Sequence, residues 1–243
     1  MSEDSSNSLN KVLWSPIPVI LFSLVIYILP QIIIVILLSL VDKNLVENIN
    51  SGENISWQFA LYALTGFISV GLLLWYLGKC KITLSQIGLT KRNLTKIWYA
   101  IPAFGLYFLI TTGLFALTQR LFPNLNLEQD QKTAFDSASA NSEIFLAFLA
   151  FCVVAPIAEE LIFRGFLYKG LRTKLKPLIA GLITSLLFGL AHFQLNVGMD
   201  TFALSLLLVW LAEETKSLWP SITLHAMKNF VAFLLYFIIK IPI

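Results

Sequence analysis

Two adjacent carboxylates and an arginine, Glu159, Glu160 and Arg164, stand inside an apolar run from about 143 to 168. An ionisable side chain at membrane depth costs on the order of 2.5 to 3.5 kcal/mol, so three together mark a functional site whose partners must lie elsewhere in the chain. The chain has only two histidines, His192 and His225, and each also falls in an apolar run rather than in a polar loop. Carboxylate and imidazole are the side chains that most often move protons in hydrolysis.

The spacings divide these groups into three sets. Glu160 and Arg164 are four residues apart and can pair on one helix face. Glu159 is turned by about 100° and points elsewhere. Pro156 removes a helix hydrogen bond just before the carboxylates and leaves backbone that must be satisfied internally. For Glu160 and Arg164, a buried pair that only fixes helix packing explains the residues nearly as well as a direct role in chemistry, but it leaves Glu159 without a partner. Phe188 and His192 form a second i, i+4 pair, in a run whose Gly181, Gly189 and Ala191 allow a neighbouring helix to approach closely. A single histidine on an apolar face is more often a satisfied core residue; the unpaired carboxylate reverses that balance here. His225 and Asn229 are the third pair, two donors side by side as an oxyanion would need, with a polar packing pair as the bland alternative. Pro220 sits near the first turn of that helix, where a missing N–H costs nothing.

The elements that must position these residues follow from composition. The chain has 243 residues, 57% hydrophobic and 13% charged, about half the usual charged fraction of a soluble domain. An all-α, polytopic transmembrane bundle of about seven helices is expected. Runs long enough to cross a bilayer lie at about 17–41, 57–78, 98–118, 143–168, 178–194 and 218–239, with a weaker seventh run at 199–212 that is short for a full crossing. Trp14, Trp57, Trp75, Trp98, Trp210 and Trp219 all fall near run ends, as an interfacial belt requires. Pro16, Pro18, Pro30 and Gln31 suggest a bent first helix. The segment 82–95 mixes apolar and basic residues and is expected at the cytoplasmic interface.

Charge sets orientation and excludes other partners. Lys79, Lys81, Lys91, Arg92 and Lys96 in one loop, and Lys169, Arg172, Lys174 and Lys176 in another, place both loops in the cytoplasm. The loops at 42–56 and 119–142 then lie outside, the N-terminus inside, and the protein in the cytoplasmic membrane. A net charge of +3 and the lack of a basic tract with interleaved aromatics argue against nucleic acid; the partner surface is the bilayer. Cys80 and Cys152 show no metal-type spacing and are read as incidental. The acidic, polar first residues do not resemble a signal peptide, so the first span is expected to be retained. The chain divides into a polar N-terminus at 1–16, N-terminal helices and loops at 17–142, and catalytic helices at 143–243.

Taken in order, GluGluxxxArg, PhexxxHis and HisxxxAsn on three apolar helices resemble the signature of the CPBP family of intramembrane proteases, also called the Abi or CAAX-processing family. The likeness covers residues 143–230, and SerLeuTrpProSerIle before His225 also looks like the family. It implies peptide-bond hydrolysis in a lipidated or membrane-associated substrate. Glu159 would be the general base on a water held also by His192, His225 and Asn229 the oxyanion donors, and Glu160 and Arg164 the orienting pair. No cofactor is favoured: HisGluxxHis is absent and asparagine is a poor zinc ligand. Zn²⁺ on Glu159, His192 and His225 is the alternative. A membrane scaffold or bacteriocin self-immunity protein acting by binding is the alternative to an enzyme. Two features depart from the family pattern: no glycine follows Gly198, and Lys228 adjoins Asn229. Lys228 could meet an acidic group of a substrate or satisfy Glu160.

Overall fold

The computed structural model describes residues 16–41, 55–127, 138 and 140–240. The expected polar N-terminus with Trp14 and most of the loops at 42–56 and 119–142 lie outside the described residues. Seven helical rods account for nearly all of the rest, and no strand occurs among the described residues. They are α1 (Pro16–Val41), α2 (Ile55–Lys79), α3 (Ala100–Leu121), α4 (Asn141–Arg172), α5 (Pro177–Leu190), α6 (Leu195–Thr215) and α7 (Trp219–Ile239). All except α5 are long and apolar enough to cross a membrane. The chain is an integral membrane protein.

The short rod is not the one expected. The run at 199–212 belongs to a 21-residue helix, whereas α5 has only 14 residues. Charge at each end of the α6 run masks its length, but that charge is neutralised inside the protein. Asp200 pairs with Lys228 at 2.9 Å and accepts from the Tyr107 hydroxyl of α3. Glu213 meets Arg172 at 3.2 Å and Lys216 at 2.9 Å, and accepts from the Tyr168 hydroxyl at 3.1 Å. Helix α5 stops early because the chain turns at 191–192 and Phe193 adopts a left-handed φ of 54°.

Helices α4 and α6 are the most buried spans, and the others pack around them. Helix α4 touches α1 and α2 on one side and α5, α6 and α7 on the other. Its Phe163, Phe166, Leu167 and Tyr168 join Leu73 and Leu77 of α2 and Phe188 of α5 in the main core. Helices α5 and α6 approach at Gly189 and Gly198: a Cβ on Gly189 would lie 2.6 Å from the Gly198 carbonyl oxygen. The missing glycine after Gly198 therefore leaves α6 well packed, because the close approach uses Gly198 itself.

The segment 82–95 packs onto the end of the bundle. Ile82 and Ile87 are buried in the main core, and the 3-10 segment Lys91–Tyr99 leads into α3. Gly88, at φ 102°, lets the chain turn tightly against Leu218, whose N–H donates to the Gly88 carbonyl at 2.9 Å. Lys169 reaches the Gln86 carbonyl at 2.9 Å. These bonds bring the basic segments around 79–96 and 169–176 to the same end of the bundle. Trp57, Trp75, Trp98, Trp210 and Trp219 lie near helix ends.

Candidate functional site

Helix α4 is not a regular helix where the carboxylates lie. It is π-helical over Ala150–Val154 and again over Glu160–Tyr168, on either side of an α turn at Ala155–Glu159. The Ala155 N–H donates to the Ala150 carbonyl, five residues back. In the same register the Phe151 carbonyl would face Pro156, which has no N–H. Asn229 of α7 supplies a donor instead: its Nδ2 lies 2.8 Å from the Phe151 oxygen. The third motif is thus tied to the break in the first.

Glu160 and Arg164 form the expected pair, 2.9 Å apart and fully buried. Arg164 is held twice more, by donation to Ser205 of α6 at 2.6 Å and by stacking 4.3 Å above the centre of the Phe188 ring. Glu160 Oε1 also accepts from His225 Nδ1 at 3.0 Å. That bond commits one ring nitrogen and turns the other, Nε2, toward Glu159 Oε2 at 3.7 Å. His225 therefore stands between both carboxylates.

His192 lies just beyond α5. Its Nδ1 donates to the Phe188 carbonyl at 2.8 Å, while its backbone N–H turns to Gly189. The i, i+4 spacing of the second motif thus works as a side-chain cap on the helix end. Phe188 is fully buried, and its ring meets those of His192 and His225 edge to face, with centroids 5.1 and 5.8 Å apart.

Glu159, His192, His225 and Asn229 all line one cavity of about 250 Å³. Lys228 lines it too, but its ammonium pairs with Asp200 rather than with Glu160. Glu159, expected to lack a partner, accepts from the Tyr27 hydroxyl of α1 at 3.2 Å. Tyr27 and Ser205 were not legible as site residues. The only signal for Tyr27 was its place one turn before Gln31 in an apolar run; nothing in the run distinguished Ser205. Both cysteines are free, as read from their spacing. Among the described residues no group of three or more His, Cys, Asp or Glu side chains is gathered closely enough to hold a metal ion.

An all-α membrane bundle with a buried Glu–Arg–His cluster defines the class, and comparison of sequences narrows it. Residues 141–231, which carry most of α4 to α7 and all three motifs, match the family model Rce1-like, described as "Type II CAAX prenyl endopeptidase Rce1-like". A protein of Bacillus subtilis (strain 168) described as "Putative membrane peptidase YdiL" is 36% identical over 77 residues. That match covers 32% of this chain and 32% of the relative. No solved structure matches. The resemblance to CPBP-type proteases read from the motifs is supported over the C-terminal helices.

Proposed function

We propose that the chain is an intramembrane endopeptidase that activates water on Glu159. The observation that carries this reading is Glu159 Oε2 standing 3.7 Å from His225 Nε2, in a cavity that His192 and Asn229 also line. A water beside these groups gives a proton to Glu159, and its oxygen attacks the carbonyl carbon of the substrate. Its second hydrogen donates to His192 Nε2, which is left as an acceptor by the Nδ1 bond to Phe188. The developing oxyanion accepts from His225 Nε2–H and from the Asn229 amide hydrogen not used by Phe151. When the tetrahedral intermediate collapses, Glu159 returns its proton to the leaving amine.

His225 donates in this scheme only with both ring nitrogens protonated. Two carboxylates flank the ring, Glu160 at Nδ1 and Glu159 near Nε2, and they supply the counter-charge that such a ring requires. No step passes through a metal. The substrate class is a membrane-associated or lipidated peptide presented as an extended segment, because a helical peptide bond is already shielded. The CAAX prenyl endopeptidases named in the family description favour a lipidated C-terminus as the first substrate to test.

The test uses the purified full chain in lipid vesicles with a quenched fluorescent peptide bearing a prenylated CAAX box. Cleavage should fall by about 10² to 10⁴ in Glu159→Gln and should survive exhaustive chelation. Cleavage that is lost on chelation and returns with zinc would reverse the metal-free reading. An unaltered rate in Glu159→Gln would remove the carboxylate from the mechanism.

A further inference from the structure

Glu159 lies where two cavities meet. One, of about 250 Å³, holds both histidines. The other, of about 290 Å³, runs between α1, α2 and α4 and is lined by Gln31, Leu38, Leu61, Gly66 and Val154, with no histidine. Tyr27, Tyr62, Ala155 and Glu159 line both. A carboxylate in that position can present its oxygens to either space by rotating, and only one space contains the proposed partners of the reaction.

Tyr27 decides between them. Its hydroxyl donates to Glu159 Oε1 at 3.2 Å, which leaves Oε2 as the oxygen toward His225. The phenol is itself held, its ring set edge-on against Phe163 with centroids 5.1 Å apart. Ring and hydroxyl come from α1, so the side chain ties the N-terminal helices to the carboxylate of α4. We propose that Tyr27 is a positioning residue for Glu159, fixing the carboxylate so that Oε2 faces the histidine-lined cavity. This rests on the hydrolytic reading above. Tyr27 acts through Glu159 Oε1, the oxygen turned away from His225.

The experiment compares the full chain with Tyr27→Phe, which keeps the ring and its contact with Phe163, and has two arms. Infrared spectra of the protein without substrate, differenced against Glu159→Gln, isolate the Glu159 carboxylate stretch. Loss of a donor should shift that band in Tyr27→Phe. Cleavage of the prenylated CAAX peptide should show kcat lower by about ten- to a hundredfold, the range for a hydrogen bond to a charged group, with KM changed by less than about twofold. An unshifted band overturns the proposal, because the bond then does not exist. A shifted band with unchanged kcat also overturns it, because the bond then positions nothing that matters. A wild-type chain that cleaves nothing removes the hydrolytic reading and the positioning role with it, while the band separately decides whether Tyr27 holds the carboxylate.

Discussion

Phe188 is apolar, yet it organises the charged part of the site. Its ring carries the Arg164 guanidinium on one face and meets His192, His225 and Phe163 through edge contacts. A guanidinium removed from water needs partners on every side, and an aromatic face supplies one without adding a charge. Replacing Phe188 by leucine keeps the position apolar but removes that face. We expect Phe188→Leu to lower stability by about 1 to 3 kcal/mol, measured by thermal unfolding in detergent, and to lower cleavage as Arg164 and His225 lose their register. The pairing of Glu160 with Arg164 was legible from spacing alone, because helix geometry dictates contacts four residues apart. The bonds from Tyr27 and Ser205 were not: they link residues 132 and 41 positions apart, and no local pattern encodes which distant helix will lie alongside.

At the scale of elements, the break in α4 explains why the third motif ends in asparagine. Proline at 156 has no N–H to offer the Phe151 carbonyl in the i+5 register, and Asn229 donates to that carbonyl from α7. One residue therefore both joins two helices and faces the cavity. These duties separate experimentally. Asn229→Ala should cost about 1 kcal/mol of stability, the net worth of one part-buried hydrogen bond. Adding Pro156→Ala restores an N–H to the ladder and should recover most of that stability. Cleavage should stay low in the double variant, because the restored backbone donor points along α4 and not into the cavity. Recovery of both would reduce Asn229 to a packing role. The sequence showed that a proline would free a carbonyl; the π-helical register that selects Phe151, and the helix that answers it, depend on how α4 and α7 pack. Hydropathy was least informative where charge is paired internally, and so α6 read as shorter than it is.

For the whole molecule, the bonds from Lys169 to Gln86 and from Leu218 to Gly88 gather the basic loops at one end, which by the distribution of Lys and Arg should face the cytoplasm. Single cysteines placed beside Glu159 and His225, in a chain lacking Cys80 and Cys152, should react with a small polar thiol reagent added from the cytoplasmic side. Labelling only from the opposite side would invert the orientation. The brevity of α5 bears on the surrounding lipid. Fourteen residues at about 1.5 Å each span roughly 21 Å, well short of a hydrocarbon core about 30 Å thick. Its outer face is greasy, with Leu178, Ile179, Leu182, Leu186 and Leu190 exposed, so acyl chains must meet it and must shorten to do so. Past its end the chain turns at Phe193, just after His192, so a bilayer that thins to match α5 should be pinched inward beside the proposed site. Water would then have less oil to cross to reach Glu159. Reconstituted into a series of vesicles of increasing acyl length, the protein should work fastest in the thinnest bilayer that keeps it folded and slow as the membrane thickens. A rate indifferent to thickness would mean that water reaches the cavity wholly through the protein.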